Sequence, residues 1–187
     1  MIKVEWPASQ KICELNMLQK FLKDKNIKKI LEIGTFFGGT TLLWAKMVEP
    51  DGRVYTLDQN FHPGRQCYYG TKWESLITEI QGDSHKEEIK ERVKSVIGGL
   101  VDFLFVDGDH LYEGVKKDFD YRDLVKEGGF IGFHDIRDTE FHRNLPPPDG
   151  PCMVAKFWNE IKNSYEHWEF LDPDDATYMG IGVLKIG

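Results

Sequence analysis

The chain has 187 residues and a mass of 21.7 kDa, and its 24 Lys and Arg against 31 Asp and Glu give a net charge of −7. This length fits one domain, 1–187, and leaves no room for a separate substrate domain. The acidic balance disfavours nucleic acid as a partner, and no apolar run approaches the roughly 18 residues that span a membrane. The spacing of Cys13, Cys67 and Cys152 suggests neither disulfides nor a metal site, which indicates reduced thiols and a cytoplasmic location.

Strands and helices are predicted to alternate along the first 136 residues. Leucines at helical spacing predict an amphipathic N-terminal helix over 8–25. Five apolar runs then predict strands at Ile30–Ile33, Val54–Leu57, Leu76–Gln81, Val101–Val106 and Phe130–Phe133. Residues 59–71 lack periodicity and predict a loop, whereas Gly128–Gly129 is expected to end the helix before the fifth strand. The alternation predicts an α/β, Rossmann-like three-layer sandwich with right-handed crossovers.

The remainder of the chain is less regular. Pro146-Pro147-Pro148 helps to close an irregular segment, 137–151, which we interpret as a lid or substrate loop. A helix is predicted at Val154–Ile161, and two strands, His167–Leu171 and Tyr178–Ile186, are joined by a short turn. The predicted organisation is therefore a core over 27–136 and a C-terminal helix and antiparallel hairpin over 152–187, which completes a mostly parallel seven-stranded sheet.

Small, acidic and imidazole residues follow each of the five core strands. In an open parallel sheet, ligands bind at the carboxyl ends of the strands, and glycine there permits tight turns and close backbone approach. Any one of these residues could be only a turn residue or a helix cap, but five consecutive strand ends with the same character indicate a ligand site. The runs are Glu32–Thr40, Asp58–Gln59, Gly82–Ser84, Asp107–His110 and His134–Asp135.

The order of these motifs resembles a known family. The run Glu32-x-Gly34-x-x-x-Gly38 resembles the first motif of class I S-adenosylmethionine (SAM)-dependent methyltransferases. Phe105–Val115 followed by Gly129–Ile136 is similar, more particularly, to small-molecule O-methyltransferases of the macrocin O-methyltransferase and cephalosporin-hydroxylase-like group. The resemblance extends over about 27–136 and implies SAM as the cofactor.

The resemblance also implies which residues bind SAM. Asp58 would hold both ribose hydroxyls, since charge-assisted hydrogen bonds contribute about 1.5–3 kcal/mol each. Asp83 and Ser84 would hold the adenine edge, although Asp83 could instead cap the next helix. Glu32 would lie near the methionine end, a salt bridge to a lysine being its alternative role. The implied cofactor residues are Glu32, Gly34, Thr35, Phe36, Gly38, Thr40, Asp58, Gln59, Gly82, Asp83, Ser84 and Asp107.

Transfer to a hydroxyl also requires removal of its proton, by a base or with the help of a metal. In metal-dependent relatives such as catechol O-methyltransferase, the residues at the positions that match Asp107, His134 and Asp135 bind magnesium. His134 departs from that pattern, because magnesium prefers oxygen ligands and imidazole suits manganese, iron or zinc better. In the alternative without metal, Asp107 orients cofactor or substrate and His134 packs at the sheet end. His110 is the predicted catalytic base, with Asp107 as the other candidate.

These observations predict a SAM-dependent O-methyltransferase acting on a sugar-like or natural-product alcohol, with Mg²⁺ or Mn²⁺ left open as a second cofactor. A nicotinamide-dependent oxidoreductase is one alternative, although the chain has no Gly-x-Gly-x-x-Gly motif; a non-catalytic cofactor-binding module is the other. No nucleic acid or membrane partner is expected, and the N-terminal helix and terminal hairpin are the candidate surfaces of a homodimer. The residues expected to select the acceptor are His62, Arg65, Tyr68, Tyr69, Trp73, His142 and Arg143.

Overall fold

A computed structural model describes residues 10–60, 66–144 and 150–187, and its strands form one seven-stranded sheet. The strands are β1 Lys29–Ile33, β2 Arg53–Asp58, β3 Ile77–Gln81, β4 Val101–Val106, β5 Val125–His134, β6 His167–Phe170 and β7 Ile181–Lys185. Their order is β3-β2-β1-β4-β5-β7-β6, with β1 to β5 parallel and β7 antiparallel to both neighbours. The predicted mostly parallel sheet with an antiparallel C-terminal pair is confirmed.

Helices cover both faces of this sheet. They are α1 Ile12–Leu22, α2 Gly39–Val48, α3 Glu87–Ile97, α4 Tyr112–Phe119, α5 Glu140–Arg143 and α6 Val154–Ile161. Successive strand residues point to opposite faces, so Ile30 packs with α1 and α2, whereas Leu31 packs with α3, α4 and α6. Both faces of the central strands are thereby buried, which explains why these strands are almost entirely apolar.

The fifth strand begins earlier than predicted. The pair Gly128–Gly129 does not end a helix: α4 ends at Phe119, and β5 already begins at Val125. Gly128 has φ +73°, and the pairing of β5 with β4 shifts register just before the regular part of the ladder. The glycines therefore form an irregularity inside a strand, which is a second common use of glycine in sheets.

The C-terminal hairpin has a longer connection than the short turn that was predicted. Residues 171–180 join β6 to β7, and Met179 and Gly180 both have positive φ, so β7 does not start at Tyr178. Buried Glu14 of α1 accepts hydrogen bonds from the amides of Asp172 and Gly180, each at 3.0 Å. The connection is thus bonded to α1, and its last residues, Met179 and Gly180, also accept hydrogen bonds from the amides of Arg137 and Ile136 just beyond β5.

Some expectations fall at the limits of what is described. Helix α1 is shorter than the predicted range 8–25, of which residues 8 and 9 lie outside the described part. His62, Arg65 and the proline run at 146–148 also lie outside it. Within the described ranges, the longest and most apolar helices fall short of what crossing a membrane requires. All three cysteines are free.

Candidate active site

Strand register brings the predicted site residues to one edge of the sheet. Ile33 of β1 pairs with Leu57 of β2 and with Val106 of β4, and Val106 pairs with Phe133 of β5. The residues that follow these positions therefore emerge side by side at the carboxyl ends of four adjacent strands. They are Gly34, Asp58, Asp107 and His134.

The turn after β1 is packed too closely for any residue but glycine. Gly34 has φ +93°, and a Cβ atom there would lie 2.0 Å from the carbonyl oxygen of Asp107. Gly38, with φ +78°, precedes α2, and a Cβ atom there would lie 2.4 Å from the ring of Tyr68. Both φ values are in the region that favours glycine. The turn thus runs directly against the end of β4, where the acidic motif begins.

Asp58 connects the end of β2 to this turn. Its Oδ2 accepts hydrogen bonds from the amides of Thr35 at 2.7 Å and Phe36 at 3.0 Å, and its Oδ1 accepts one from the amide of Asn60 at 2.9 Å. Asp58 and the glycine turn therefore lie next to each other, as a shared cofactor site requires. Its role in holding a ribose stays a prediction.

Glu32 lies beneath the turn and is wholly buried. Its carboxylate accepts hydrogen bonds from the hydroxyls of Thr41 and Thr56 and from the indole Nε1 of Trp44. Burial raises the pKa of Glu32 to about 7, against the opposing effect of its hydroxyl donors. The side-chain donors to Glu32 in the described residues are thus uncharged, unlike the lysine of its alternative role, and Glu32 links β1, β2 and α2 below the predicted cofactor site.

The end of β3 is tied to α4. Asp83 accepts a hydrogen bond from the amide of His85 at 3.0 Å, so it caps a turn and not α3, which begins at Glu87. Ser84 donates to the buried Asp118 at 2.6 Å, and a hydrogen bond to the same carboxylate raises the pKa of His85. Asp118 was not predicted, although it lies three residues after Val115 on the inward face of α4.

The other implied cofactor residues occupy varied positions around this edge. Gly82 packs against Ile89, and Gln59 accepts a hydrogen bond from Gln81 through its carbonyl oxygen. Thr35 shares a hydrogen bond with Thr56, Thr40 is buried, and Phe36 is 56% exposed with φ +49°. These contacts leave their assignment as cofactor residues a prediction.

Asp107, His134 and Asp135 form a compact group with donor atoms all within 4.8 Å of one another. His134 Nδ1 lies 3.3 Å from Asp107 Oδ1 and 3.1 Å from Asp135 Oδ2. Ligands about 2.1 Å from one ion and at right angles to each other lie about 3 Å apart. The two distances from His134 match this value, and the upper bound of 4.8 Å on the group is compatible with a single divalent cation.

The charges in this group are strongly coupled. Burial alone would raise the pKa of the carboxyls of Asp107 and Asp135, but the neighbouring imidazoles, His134 foremost, together outweigh burial and hold both pKa values below their ordinary range. Burial would likewise lower the pKa of His134, yet the two carboxylates raise it well above its usual value. The two carboxylates lie among three imidazoles, those of His110, His134 and His142, which favour the ionised form of both acids.

His110 lies at the border of this group. Its Nε2 is 3.4 Å from Asp135 Oδ2 and 3.7 Å from Asp107 Oδ1. This atom is buried and makes no hydrogen bond to the described part of the protein. Although burial lowers the pKa of His110, the nearby carboxylates of Asp107 and Asp135 outweigh it and raise that pKa. An imidazole so placed could accept a proton from a molecule bound at the strand ends.

Two further side chains reach the group from distant parts of the chain. His142 Nε2 lies 3.2 Å from Asp135 Oδ1, and the Gln10 side-chain amide donates to Asp107 Oδ2. The sequence placed His142 only in a substrate loop and did not single out Gln10. No pattern could have found Gln10, because 97 positions separate it from Asp107.

The predicted acceptor-binding residues are mostly engaged elsewhere. The hydroxyls of Tyr68 and Tyr69 both donate to Glu79, at 2.6 and 2.7 Å. The Trp73 indole donates to Glu49, and Arg143 bonds to Asp138. These four side chains therefore have local partners, whereas His142 contacts the acidic group.

Residues 31–136, more than half of the chain, match a family model described as a methyltransferase domain. The chain belongs to this methyltransferase family. The match covers the glycine turn, Asp58 and the acidic group, and it favours the methyltransferase prediction over a nicotinamide-dependent oxidoreductase.

Curated relatives of this methyltransferase domain include plant O-methyltransferases. Caffeoyl-CoA O-methyltransferase 5 of Nicotiana tabacum is 32% identical over 149 residues, which are 73% of this chain and 56% of the relative. Caffeoyl-CoA O-methyltransferase 2 of Petunia hybrida is 32% identical over 149 residues, 73% of this chain and 55% of the relative. The chain spans about half the length of these curated relatives.

Solved structures share the fold of the methyltransferase domain. A putative caffeoyl-CoA O-methyltransferase from Staphylococcus aureus has a TM-score of 0.71 and 23% identity, over 98% of this chain and 87% of the other. The O-methyltransferase from Bacillus cereus in complex with S-adenosylhomocysteine (SAH) has a TM-score of 0.70 and 19% identity, over 97% and 84%. The predicted class I methyltransferase fold is thereby confirmed.

Proposed function

We propose that this chain transfers a methyl group from SAM to a hydroxyl of a small molecule. The observation that carries the proposal is the placement of two sites on one sheet edge: Asp58 with the glycine turn, and the group of Asp107, His134 and Asp135. SAM, when bound, supplies an electrophilic methyl group on its sulfonium. The protein must then hold the cofactor, orient the acceptor and take up the acceptor's proton.

Asp58 is suited to hold the ribose. A carboxylate offers about four acceptor positions, and three backbone amides already occupy Asp58. These amide bonds fix the direction of the carboxylate and leave one position on Oδ1, enough for one ribose hydroxyl and not for the two that the resemblance implied. The Gly34 turn beside it packs directly against the carbonyl of Asp107, which places Asp58 next to the acidic group.

Asp107, His134 and Asp135 are the residues that would hold a divalent metal. The donor spacing and the lowered pKa values of the two carboxyls, which keep them ionised, support this assignment. We favour Mn²⁺ over Mg²⁺, because one of the three donors is an imidazole nitrogen. Such an ion would lower the pKa of an acceptor hydroxyl bound to it.

His110 is our assignment for the base. Its buried Nε2 has no hydrogen-bond partner in the described residues, and the two adjacent carboxylates stabilise the imidazolium that proton uptake would form. Asp107 is the poorer candidate, because its oxygens already contact Gln10 and His134 and its pKa is lowered. General-base catalysis of this kind contributes about 10²–10⁴-fold to the rate.

The acceptor remains the least constrained part. A sugar-like or natural-product alcohol is our first candidate, from the sequence resemblance. An aromatic hydroxyl is the second, because large apolar side chains are exposed next to site residues: Phe36, Leu111 and Phe141 are 46–56% exposed and adjoin Thr35, His110 and His142. The curated relatives are named for caffeoyl-CoA, an acceptor with an aromatic ring.

We also place the protein in the cytoplasm, where its three free cysteines would stay reduced. The net charge of −7 supports a small molecule and not nucleic acid as the partner.

Calorimetric titration with SAH tests cofactor binding. We expect the wild type to bind SAH and Asp58→Ala to bind it about 10–100-fold more weakly, the effect of losing charge-assisted hydrogen bonds. Asp51→Ala, which removes an exposed carboxylate outside the strand ends, is the matched control and should bind normally. Absence of SAH binding by the wild type would overturn the proposal.

A mass-spectrometric assay tests transfer and the role of metal. Catechol-type and sugar-type acceptors are offered with SAM before and after chelation, and after Mn²⁺ is restored. We expect a product 14 Da heavier than one acceptor, lost on chelation and recovered with Mn²⁺, since each methyl replaces a hydroxyl hydrogen. Unchanged turnover after chelation would remove the metal, and SAH binding without any product would favour the non-catalytic module.

A further inference from the structure

His142 contacts one carboxylate oxygen of Asp135, and the other oxygen faces the acidic group. The imidazole is 3% exposed, with Nδ1 2.9 Å from the carbonyl oxygen of Arg137 and Nε2 3.2 Å from Asp135 Oδ1. The other carboxylate oxygen, Oδ2, faces His134 and His110. One oxygen of Asp135 is therefore held from α5 while the other points into the acidic group.

Asp135 needs this support because its backbone is in an unusual conformation. It has φ +61°, in the left-handed region that residues other than glycine adopt at a cost. It also comes directly after the last residue of β5, so the strand ladder no longer fixes its side chain. A partner on another element must then set the direction of its carboxylate.

His142 is itself firmly placed. Its amide donates to Thr139 Oγ1, the N-cap of α5, and its carbonyl oxygen accepts from the amide of Cys152 at 2.8 Å. The residue before His142, Phe141, has an exposed side chain, and its ring centroid lies 5.4 Å from that of Tyr178. The segment that holds Asp135 therefore also forms an apolar wall beside the strand ends.

We propose that His142 is a positioning residue, which aims Asp135 Oδ2 at the metal and couples metal binding to the segment Arg137–Asn144. The inference rests on the proposed function, in which Asp135 is a metal ligand. Partners that orient a ligating carboxylate typically change metal affinity 10–100-fold when removed. Through the same contact, a metal that fixes Asp135 would also fix α5 and the wall that contains Phe141.

Nε2 also accepts a hydrogen bond from the amide of Met179 at 3.4 Å, so two substitutions are needed to separate the contact of Nδ1 from those of Nε2. The amide of His142→Asn reaches the position of Nδ1, so it keeps the Arg137 contact and loses Asp135 and Met179. The amide of His142→Gln reaches the position of Nε2 and keeps Asp135. In calorimetric titrations of the full chain with Mn²⁺, we expect His142→Asn to bind about 10–100-fold more weakly. We expect the Mn²⁺ affinity of His142→Gln to stay close to that of the wild type. The same holds for His167→Asn, a control substitution on β6.

Hydrogen exchange gives a second readout. Mn²⁺ should increase amide protection over 137–144 in the wild type and His142→Gln but not in His142→Asn. Normal Mn²⁺ affinity of His142→Asn would overturn the inference alone, and so would equal loss in both variants, which would indicate packing without positioning. Absence of Mn²⁺ binding by the wild type would overturn the proposed metal site as well. Urea unfolding of each variant shows whether any loss reflects folding.

Discussion

At the scale of single residues, His110 carries the sharpest prediction. Replacing it with Gln removes the proposed base but leaves a polar side chain of similar size. We expect kcat to fall about 10²–10⁴-fold, with SAH affinity unchanged, because His110 contacts the acidic group and not the glycine turn. The measurement is methyl transfer at saturating SAM. His167→Gln is the control, and a kcat within a few-fold of wild type for His110→Gln would assign the proton to another group.

Site residues that directly follow strands could be predicted from the sequence. Site residues from other segments of the chain could not. Asp107, His134 and Asp135 come directly after apolar runs, so the parallel topology alone brings them together. Gln10 and His142 reach the same group from irregular segments, whose paths depend on tertiary contacts that leave no periodic signal. The orienting residues of a site are thus harder to read from a sequence than its ligands.

At the scale of elements, the approach of the β1 turn to β4 predicts a large effect for Gly34→Ala. The new methyl group would lie 2.0 Å from a backbone oxygen, at φ +93°. We expect the free energy of unfolding to fall by more than about 2 kcal/mol, measured with urea. Gly70→Ala is the matched control, since Gly70 has φ +73° with open space around it and should cost only about 1 kcal/mol. Equal losses would mean that conformation and not contact requires Gly34.

Glu32 joins three elements and predicts a pH dependence of stability. Its pKa is 4.5 in an ordinary environment and about 7 in the fold, so between these values the folded state binds the proton more tightly. The free energy of unfolding should therefore fall as pH rises through this window, by up to about 3 kcal/mol from this group.

Glu32→Gln should remove that contribution, because Gln fills the same space without a charge. Urea unfolding at pH 5 and pH 8 measures it: the variant should gain stability relative to wild type as pH rises. A difference between the two proteins that does not change with pH would mean that Glu32 is already ionised in the fold at pH 5.

The elements themselves were predictable where burial sets the pattern. Strands covered on both faces read as apolar runs, and β1 to β4 were located within a few residues. The errors in the predicted elements occur where one sequence pattern is compatible with two structures. A glycine pair both ends helices and bends strands, and a run of Asp and Pro between two strands gave no sign that Glu14 would bond to their connection.

At the scale of the whole molecule, the alternation of strands and helices determined the layers, and the C-terminal pair extends the sheet beyond β5. The order within that pair follows from burial: β7, which lies between β5 and β6, is buried along most of its length, whereas β6 at the edge is only partly buried. Sequence adjacency could predict that the two strands pair, but not the way in which α1 packs across them.

Glu14 makes a buried contact between the two ends of the described chain, next to the ion pair of Lys11 with Asp175. Glu14 is fully buried and accepts hydrogen bonds from two backbone amides more than 150 positions away. In Glu14→Gln, one acceptor oxygen becomes an amide nitrogen, which cannot accept a hydrogen bond. One backbone N–H is then left without its partner. We expect the free energy of unfolding to fall by about 1–3 kcal/mol in urea.

Glu88→Gln on the exposed face of α3 is the control for this charge removal and should be neutral. Gln10 lies two residues before Ile12, the first residue of α1, and its side chain donates a hydrogen bond to Asp107. If Glu14→Gln loosens α1, this contact with a proposed metal ligand should weaken, and Mn²⁺ affinity should fall. Loss of stability with unchanged Mn²⁺ affinity would show that α1 secures the sheet without acting on the site. Loss of both would make the docking of this helix part of how the metal group is built.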